Sequence, residues 1–273
     1  MRNFALKGNI IFTPQKNELR TFPDSYVICS QNTCEGVYPE LPDEYKHIRV
    51  IDFGDALIIP GMVDLHIHVP QYAFRGTGMD CELLDWLKLY AFPEEAKYSD
   101  TDYAARAYGI FADNMKRSAT TRAVIFGTVH REATLLLMDL MEAAGIVSYV
   151  GKVNMDRDAP DELRESCADA SAFDTFGFIN AAEKRHYRLT MPILTPRFIP
   201  SCSNALLNEL QRFSVLMTCL FSLTCRKTPE KLNSSKNSCL KQNFTVTATT
   251  VTAFSEGRQK QSWLTAYTQQ TQK

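Results

Sequence analysis

Several features that would assign a protein class immediately are missing from this sequence. No window approaches 18 uninterrupted apolar residues, so no transmembrane helix is predicted. The first residues, MRNFALKGNIIFTP, contain no long apolar run before a small-residue cleavage site, so we expect no signal peptide. With 30 basic and 31 acidic residues, the chain lacks the excess of one charge that is typical of nucleic-acid or membrane-surface proteins.

The cysteines also lack the usual patterns. There are eight, but no two form a CxxC pair, and a chain of 273 residues is not a small disulfide-framed domain. We interpret them as reduced thiols and expect a cytoplasmic protein. At 45% hydrophobic residues, the chain can bury one sizeable core or two modest ones.

Residues 213–273 contain no aspartate and no histidine. They hold eight Lys and Arg against two Glu, which leaves 22 basic and 29 acidic residues for 1–212. A net charge of about −7 therefore precedes a segment of about +6, and the composition changes near Arg212. The stretch FTVTATTVTAFSEG (244–257) alternates like a strand but consists mostly of threonine and alanine.

The secondary-structure pattern changes near residue 60. Residues 1–60 are predicted to form short β segments, separated by turn residues. Strands are then predicted at 63–68, 122–126, 148–153 and 192–198, with helical patterns between them. We expect Ser99 to cap the first of these helices and Gly145 to end the second. This alternation predicts a parallel sheet covered by helices, and both an open doubly wound sheet and a (β/α)8 barrel fit it.

The sharpest motif is PGMVDLHIHVPQ, at 60–71. His66 and His68 are two residues apart, so on a strand both rings project from the same side. Two imidazoles at the C-terminal end of a strand can provide two ligands to a divalent metal, usually zinc.

Longer stretches around this motif resemble the guanine deaminases, a family of the metal-dependent amidohydrolase superfamily. They are IIPGMVDLHIHVPQYAFRGTG, LLDWLKLYAFPEEAKY, VIFGTVHREAT, YVGKVNMDRDAP and LTPRFIPSCS, in family order, and the similarity runs from about residue 1 to 212. The resemblance implies a (β/α)8 barrel with a small β-sandwich built from both chain ends. It also implies a homodimer, one zinc ion per site, and hydrolysis of guanine to xanthine and ammonia.

The resemblance also implies roles for single residues. His66 and His68 would be metal ligands, with His68 also contacting the substrate. Gln71 would read the purine edge with its amide, as donor and acceptor together. Arg197 and Phe198 would hold the base by hydrogen bonding and stacking.

Five other residues are expected to lie outside the chemistry. Trp86 and Leu87 are predicted to serve in helix packing, and Lys152 is predicted to be structural. His130 and His186 are predicted to be surface or loop residues.

The family's later motifs would supply the remaining metal ligands and a proton-shuttling glutamate. They are a SHLSEN-like stretch, an AHC-like stretch and a later aspartate, and residues 213–273 cannot supply their histidines or aspartate. Read one base out of frame, however, FSLTCRKTPEK can encode QSHLSENPGE and QSWLTAYT can encode VMAHCVY. Under the same rule, FTVTATTVTAFSEG can also encode a segment that resembles the family. A low-complexity, solvated tail is the alternative.

We therefore predict that the reading frame slips near residues 212–216. Residues 1–60 would be a β-sandwich segment, 61–212 the first half of the barrel, and 213–273 an out-of-frame tail. No catalytic glutamate would be retained, zinc would be held weakly, and turnover would be lost. The alternatives are an aminohydrolase for another purine, pterin or triazine ring, and a non-catalytic half-barrel.

Overall fold

The computed structural model of the protein describes residues 3–30 and 33–216. These residues divide into two compact units, 3–61 and 62–216. The predictions made for residues 217–273 lie outside the described residues.

The first unit is a four-stranded sheet in the order β3-β2-β1-β4, with β4 parallel to β1 and the other pairs antiparallel. Its strands are β1 (Phe4–Gln15), β2 (Glu18–Ser30), β3 (Thr33–Tyr38) and β4 (Arg49–Ile58). The expectation of short β segments is wrong for β1 and β2, which run through Pro14 and Pro23. Both prolines lie where the β1–β2 register shifts, so neither is required to donate a ladder hydrogen bond. The sandwich assignment stays a prediction.

The second unit contains the predicted parallel sheet. Its strands are β5 (Met62–His68), β6 (Thr120–Phe126), β7 (Val147–Gly151), β8 (Val153–Asn154), β9 (Thr190–Pro192) and β10 (Thr195–Pro196). Four of them form a parallel sheet in the order β5-β6-β7-β9, and β8 pairs with β10, also in parallel. Within the described residues, the sheet does not close into a barrel.

The fourth predicted strand, 192–198, is wrong as a continuous element. It is split into β9 and β10, which pair with different partners. Pro192 and Pro196 have no N–H to donate to a ladder, so an unbroken strand is disfavoured there. The backbones also approach closely at this point, since a Cβ on Gly151 would lie 2.3 Å from Thr195 Oγ1.

The helices cover the sheet and link its strands. They are α1 (Leu83–Trp86), α2 (Phe92–Ala96), α3 (Thr101–Lys116), α4 (Arg131–Ala144), α5 (Ala168–Lys184) and α6 (Asn204–Leu216). A π-helical turn, Leu87–Ala91, joins α1 to α2. Gly145 ends α4 with φ 75°, as predicted. Among the described residues, no helix combines the length and apolar character needed to cross a membrane.

The cap predicted for α3 is wrong by one residue. Asp100, not Ser99, is the N-cap, and its carboxylate accepts hydrogen bonds from the backbone N–H groups of Asp102 and Tyr103 at 2.8 and 3.2 Å. Ser99 instead ends a short 3-10 turn, and its hydroxyl donates to Ala96 O. An extended residue with a carboxylate can satisfy two N–H groups that the first turn leaves free, so Asp100 fits the position better.

Two apolar clusters hold this unit together. The larger lies between the sheet and α3, α4, α5 and α6, and includes Ile125, Leu137, Met141, Phe178 and Leu206. The smaller, called here the second cluster, consists of Leu87, Ala91, Phe92, Phe126, Val153, Met155 and Leu163. Full burial of each large apolar side chain contributes roughly 1.5–3 kcal/mol before entropy is counted. The second cluster includes strand-end residues of β6 and β8, where the candidate site lies.

Candidate functional site

The two histidines of the HxH motif lie side by side at the end of β5. Their ring centroids are 5.0 Å apart, and both rings pack against Phe126, at 4.7 Å for His66 and 4.6 Å for His68. The register explains this contact, because His68 is paired with Phe126, the last residue of β6. The Asp64 carboxylate accepts the backbone N–H of His66 at 3.1 Å, at the point where the β5–β6 register shifts between Asp64 and Ile67.

The surroundings favour the neutral form of both imidazoles. Burial lowers the pKa of His66, and the charge of Asp64 opposes this shift only in part. Burial, and then the charges of Arg197 and His66, hold the pKa of His68 well below its ordinary value. His68 Nδ1 is buried and has no hydrogen-bond partner in the described part of the chain. A neutral ring with a free nitrogen is the form that binds a metal ion.

The spacing of the two rings fits two positions of a zinc site. With imidazole nitrogens about 2.0–2.1 Å from the metal and a tetrahedral angle between them, the ring centroids would be about 5 Å apart. The observed distance is 5.0 Å. Within residues 3–30 and 33–216, however, no group of three or more His, Cys, Asp or Glu side chains could hold a metal ion.

Gln71 and Arg197, which lie far apart in the sequence, meet at one carboxylate. Gln71 Nε2 donates to Glu95 Oε1 at 3.2 Å, and Arg197 Nη1 donates to Glu95 Oε2. The side chains of Glu95 and Arg197 are only 1% and 3% exposed, so this ion pair is shielded from water. Burial of such a pair is costly unless both charges find partners, as they do here.

Arg197 and Phe198 directly follow β10. The backbone N–H of Arg197 donates to Asn154 O at 3.2 Å, which anchors the residue beside β8. Its guanidinium carbon lies 5.3 Å from the centroid of the Phe92 ring, within range of a cation–π interaction. Phe198 is partly buried against the second cluster.

Glu95 was not predicted from the sequence. The signal that could have revealed it is helical spacing: Ala91, Phe92 and Glu95 are one turn apart and share the buried face. Its neighbour Glu94 accepts a hydrogen bond from Lys97 Nζ at 2.7 Å. Of the consecutive residues Glu94 and Glu95, Glu95 lies on the same helix face as the apolar residues and is the buried one.

The residues expected to lie outside the chemistry are mostly as predicted. Leu87 belongs to the second cluster and Trp86 packs against it. Lys152 is fully buried, with Nζ 2.5 Å from Glu165. His186 is exposed in a loop, and His130 is half-buried in the loop before α4, with its Nε2 atom buried.

His130 lines a cavity of about 310 Å³ together with Glu165 and Asp174. None of the residues predicted to bind metal or substrate lines this cavity. The candidate site is therefore defined by these side chains and not by the cavity.

Known proteins resemble this chain in both sequence and fold. A model of the amidohydrolase family matches residues 57–216. The guanine deaminase of Dictyostelium discoideum is 33% identical over 228 residues, covering 76% of this chain and 50% of that protein. The Escherichia coli guanine deaminase is 38% identical, covering 60% of this chain and 36% of that protein. The chain therefore spans half or less of the length of these curated relatives.

A solved structure provides a closer view of the fold. The crystal structure of guanine deaminase from C. acetobutylicum, with bound guanine in the active site, superposes with a TM-score of 0.82 at 39% identity. The match covers 89% of this chain and 57% of that one. The α/β architecture read from the sequence is thus confirmed.

Proposed function

Because the chain belongs to the amidohydrolase family, we propose that its site is that of a guanine deaminase. The reaction adds water to guanine and releases ammonia, leaving xanthine. The guanine deaminases among its relatives support this choice of substrate. So does the presence of hydrogen-bonding groups, at Gln71 and Arg197, beside the histidine pair.

The observation that carries the proposal is that Gln71, three residues after His68, and Arg197, directly after β10, donate to the same Glu95 carboxylate. The positive charge of Arg197 is close enough to lower the pKa of the His68 imidazole, although the two residues come from the last and first strand ends of the unit. A base held by Arg197 would therefore lie near the histidines. Gln71, joined to the same Glu95 carboxylate, would contact the same ligand.

In this proposal each side chain has a physical task. His66 and His68 would hold a zinc ion as neutral ligands. When bound, zinc would lower the pKa of a coordinated water toward 7 and so supply hydroxide at neutral pH. Gln71 and Arg197 would orient the ring by hydrogen bonds, and Phe198 would stack on it.

We further propose that the chain as written does not turn over. The further histidines and the aspartate implied by the resemblance have no counterpart in residues 213–273, which contain no His and no Asp, and neither of the two glutamates there lies in a SHLSEN-like stretch. Two ligands bind zinc weakly, because structural and catalytic sites use at least three protein ligands. The homodimer, the cytoplasmic location and the frame slip also remain proposals.

The test compares two versions of the gene. One encodes the 273 residues as written, and the other has a single base added or removed within the codons for residues 212–216. We expect ammonia release from guanine, and about one zinc per chain by mass spectrometry, only for the frame-restored protein. Ammonia release by the chain as written would contradict the proposed inactivity. A restored, zinc-loaded protein that leaves guanine intact would contradict the proposed substrate.

A further inference from the structure

Two cysteine residues of the first unit lie opposite each other in the hairpin formed by β2 and β3. Cys29 is the second-last residue of β2, Cys34 is the second residue of β3, and the antiparallel register pairs them directly. Directly opposite residues in an antiparallel pair have Cα atoms about 4.5 or 5.5 Å apart. Both distances fall within the range of about 4.4–6.8 Å that a disulfide bond requires. Both residues are free thiols, and the backbone register already suits a bond between them.

This pair lies beside an interruption in the ladder. The register shifts between Ile28 and Cys29, which leaves Glu35 as an extra residue on β3 and makes a β-bulge. Between this bulge and the turn, the described register consists of two residue pairs, one of which is Cys29 with Cys34. The strand order also places β3 at the edge of the described sheet. A covalent bond at this pair would therefore fix the tip of an edge hairpin that few ladder pairs hold.

The two thiols differ in their access to solvent. Cys34 is exposed, whereas Cys29 is half-buried. Burial, and then the neighbouring Cys34, raise the pKa of the Cys29 thiol, which agrees with the placement of the two side chains next to each other. Cys34 is therefore the thiol that a dissolved reagent reaches first, and Cys29 lies beside it to react second.

We propose that Cys29 and Cys34 form a redox-sensitive modification site, which closes to a disulfide by exchange with a low-molecular-weight disulfide such as oxidised glutathione. The Cys34 thiolate attacks one sulfur of the reagent, so a mixed disulfide forms and one glutathione thiolate leaves. The Cys29 thiolate then attacks the Cys34 sulfur and displaces the second glutathione thiolate. The protein loses two protons and two electrons, and the reagent takes up both and becomes two molecules of the reduced thiol.

This modification site is separate in sequence from the residues proposed to bind zinc and guanine. Cys29 and Cys34 belong to the first unit, whereas His66, Gln71 and Arg197 belong to the second. The site can therefore be tested without zinc binding or guanine turnover.

The experiment equilibrates the 273-residue chain in glutathione buffers with an increasing proportion of the oxidised form, blocks the remaining thiols with N-ethylmaleimide, and digests with trypsin. Trypsin cuts after Arg20 and Lys46, and the fragment 21–46 contains no cysteine other than Cys29 and Cys34. The closed pair is then detected by mass spectrometry as a fragment 21–46 that carries neither maleimide nor glutathione. We expect the equilibrium constant for closure to be at least about tenfold larger in buffer than in concentrated urea, because the register holds the two sulfurs together.

Two serine variants test the order of attack. Cys29→Ser keeps the exposed thiol without its neighbour, so its fragment 21–46 should retain glutathione as a stable adduct. Cys34→Ser keeps only the half-buried thiol and should gain the adduct at least about tenfold more slowly. Equal rates in the two variants would contradict the assigned order.

The exposed residue Cys167 is the internal control, because the fragment 165–184 contains no other cysteine. If fragment 21–46 keeps maleimide on both thiols in buffers where Cys167 carries glutathione, the inference is wrong. Equal closure constants with and without urea would also overturn it, because the fold would then contribute nothing to the bond. This comparison uses the unmodified chain and does not require either serine variant to fold.

Discussion

Replacing Lys152 with methionine should destabilise the second unit strongly, although the two side chains have similar length and volume. Lys152 is completely buried, and its Nζ atom lies 2.5 Å from Glu165 and 3.5 Å from Asp174. It also donates to Val153 O at 3.3 Å. Methionine can fill the space but can satisfy none of these acceptors.

The expected loss in unfolding free energy is about 3 kcal/mol. Removal of one partner from a buried ion pair typically costs 3–5 kcal/mol, because the other charge is left uncompensated. The lower end applies here, because Glu165 keeps the backbone N–H of Met155 at 3.0 Å and the hydroxyl of Ser171 as donors. Its side chain is also 13% exposed, so water can approach the carboxylate.

Urea unfolding followed by circular dichroism would measure this loss as a lower midpoint with an unchanged slope. Lys116→Met is the control, because Lys116 pairs with Asp113 at 3.2 Å on the surface of α3, with side chains 46% and 67% exposed. Exposed pairs of this kind contribute about 0.3–0.5 kcal/mol. Equal and small losses for both variants would show that the Lys152 ammonium is hydrated in solution, and the reasoning from burial would be wrong.

Three further changes test local features of the second unit. Asp100→Ala should lower the unfolding free energy by about 1 kcal/mol in a urea titration, with little effect from Ser99→Ala, since only Asp100 caps α3. Glu142→Gln should cost roughly 1–3 kcal/mol, because the Glu142 carboxylate accepts three backbone N–H groups of residues 188–190 at 2.9 Å. Burial alone would raise the pKa of Glu142, but these bonds lower it below 4.5. This stability is therefore present above the unfolded pKa and should be lost as pH falls through the folded one; a urea series down to pH 3 would detect a decline that the glutamine variant lacks. Gly109→Ala should raise the melting temperature, because a Cβ there meets nothing within 4 Å and alanine favours a helix by about 0.5–1 kcal/mol.

The strands that were predicted well contain no proline. Predictions at 63–68 and 122–126 place two parallel strands within two residues of their observed starts at Met62 and Thr120, whereas the predicted strand 148–153 covers most of β7 and the first residue of β8. The hydrophobic pattern is sufficient there because no proline interrupts the ladder, although β5 leaves Met62, Val63 and Leu65 exposed. The hydrophobic pattern fails at 192–198, because the prolines there interrupt the hydrogen-bond ladder and hydrophobicity alone does not indicate that interruption.

The site could be predicted only in part, for a related reason. The pair His66 and His68 follows from local alternation, because residues two apart on a strand lie on one side. The link from Gln71 through Glu95 to Arg197 depends on tertiary contacts over 24 and 102 residues. No periodicity relates such distant positions. From the sequence, Glu95 could have been identified only as a charged residue on the apolar face of a helix. Its partners, Gln71 and Arg197, are brought to it only by the tertiary fold.

The separation of Glu95 from Arg197 also has a consequence for the order in which the chain assembles during its synthesis. Arg197 emerges from the ribosome 102 residues after Glu95, which at 5–20 residues per second is a delay of roughly 5–20 s. During that interval the carboxylate on the apolar face of α2 has no cation, and its burial is disfavoured. The contacts that join Gln71 to Arg197 through Glu95 can therefore be completed only after residue 197 has been synthesised.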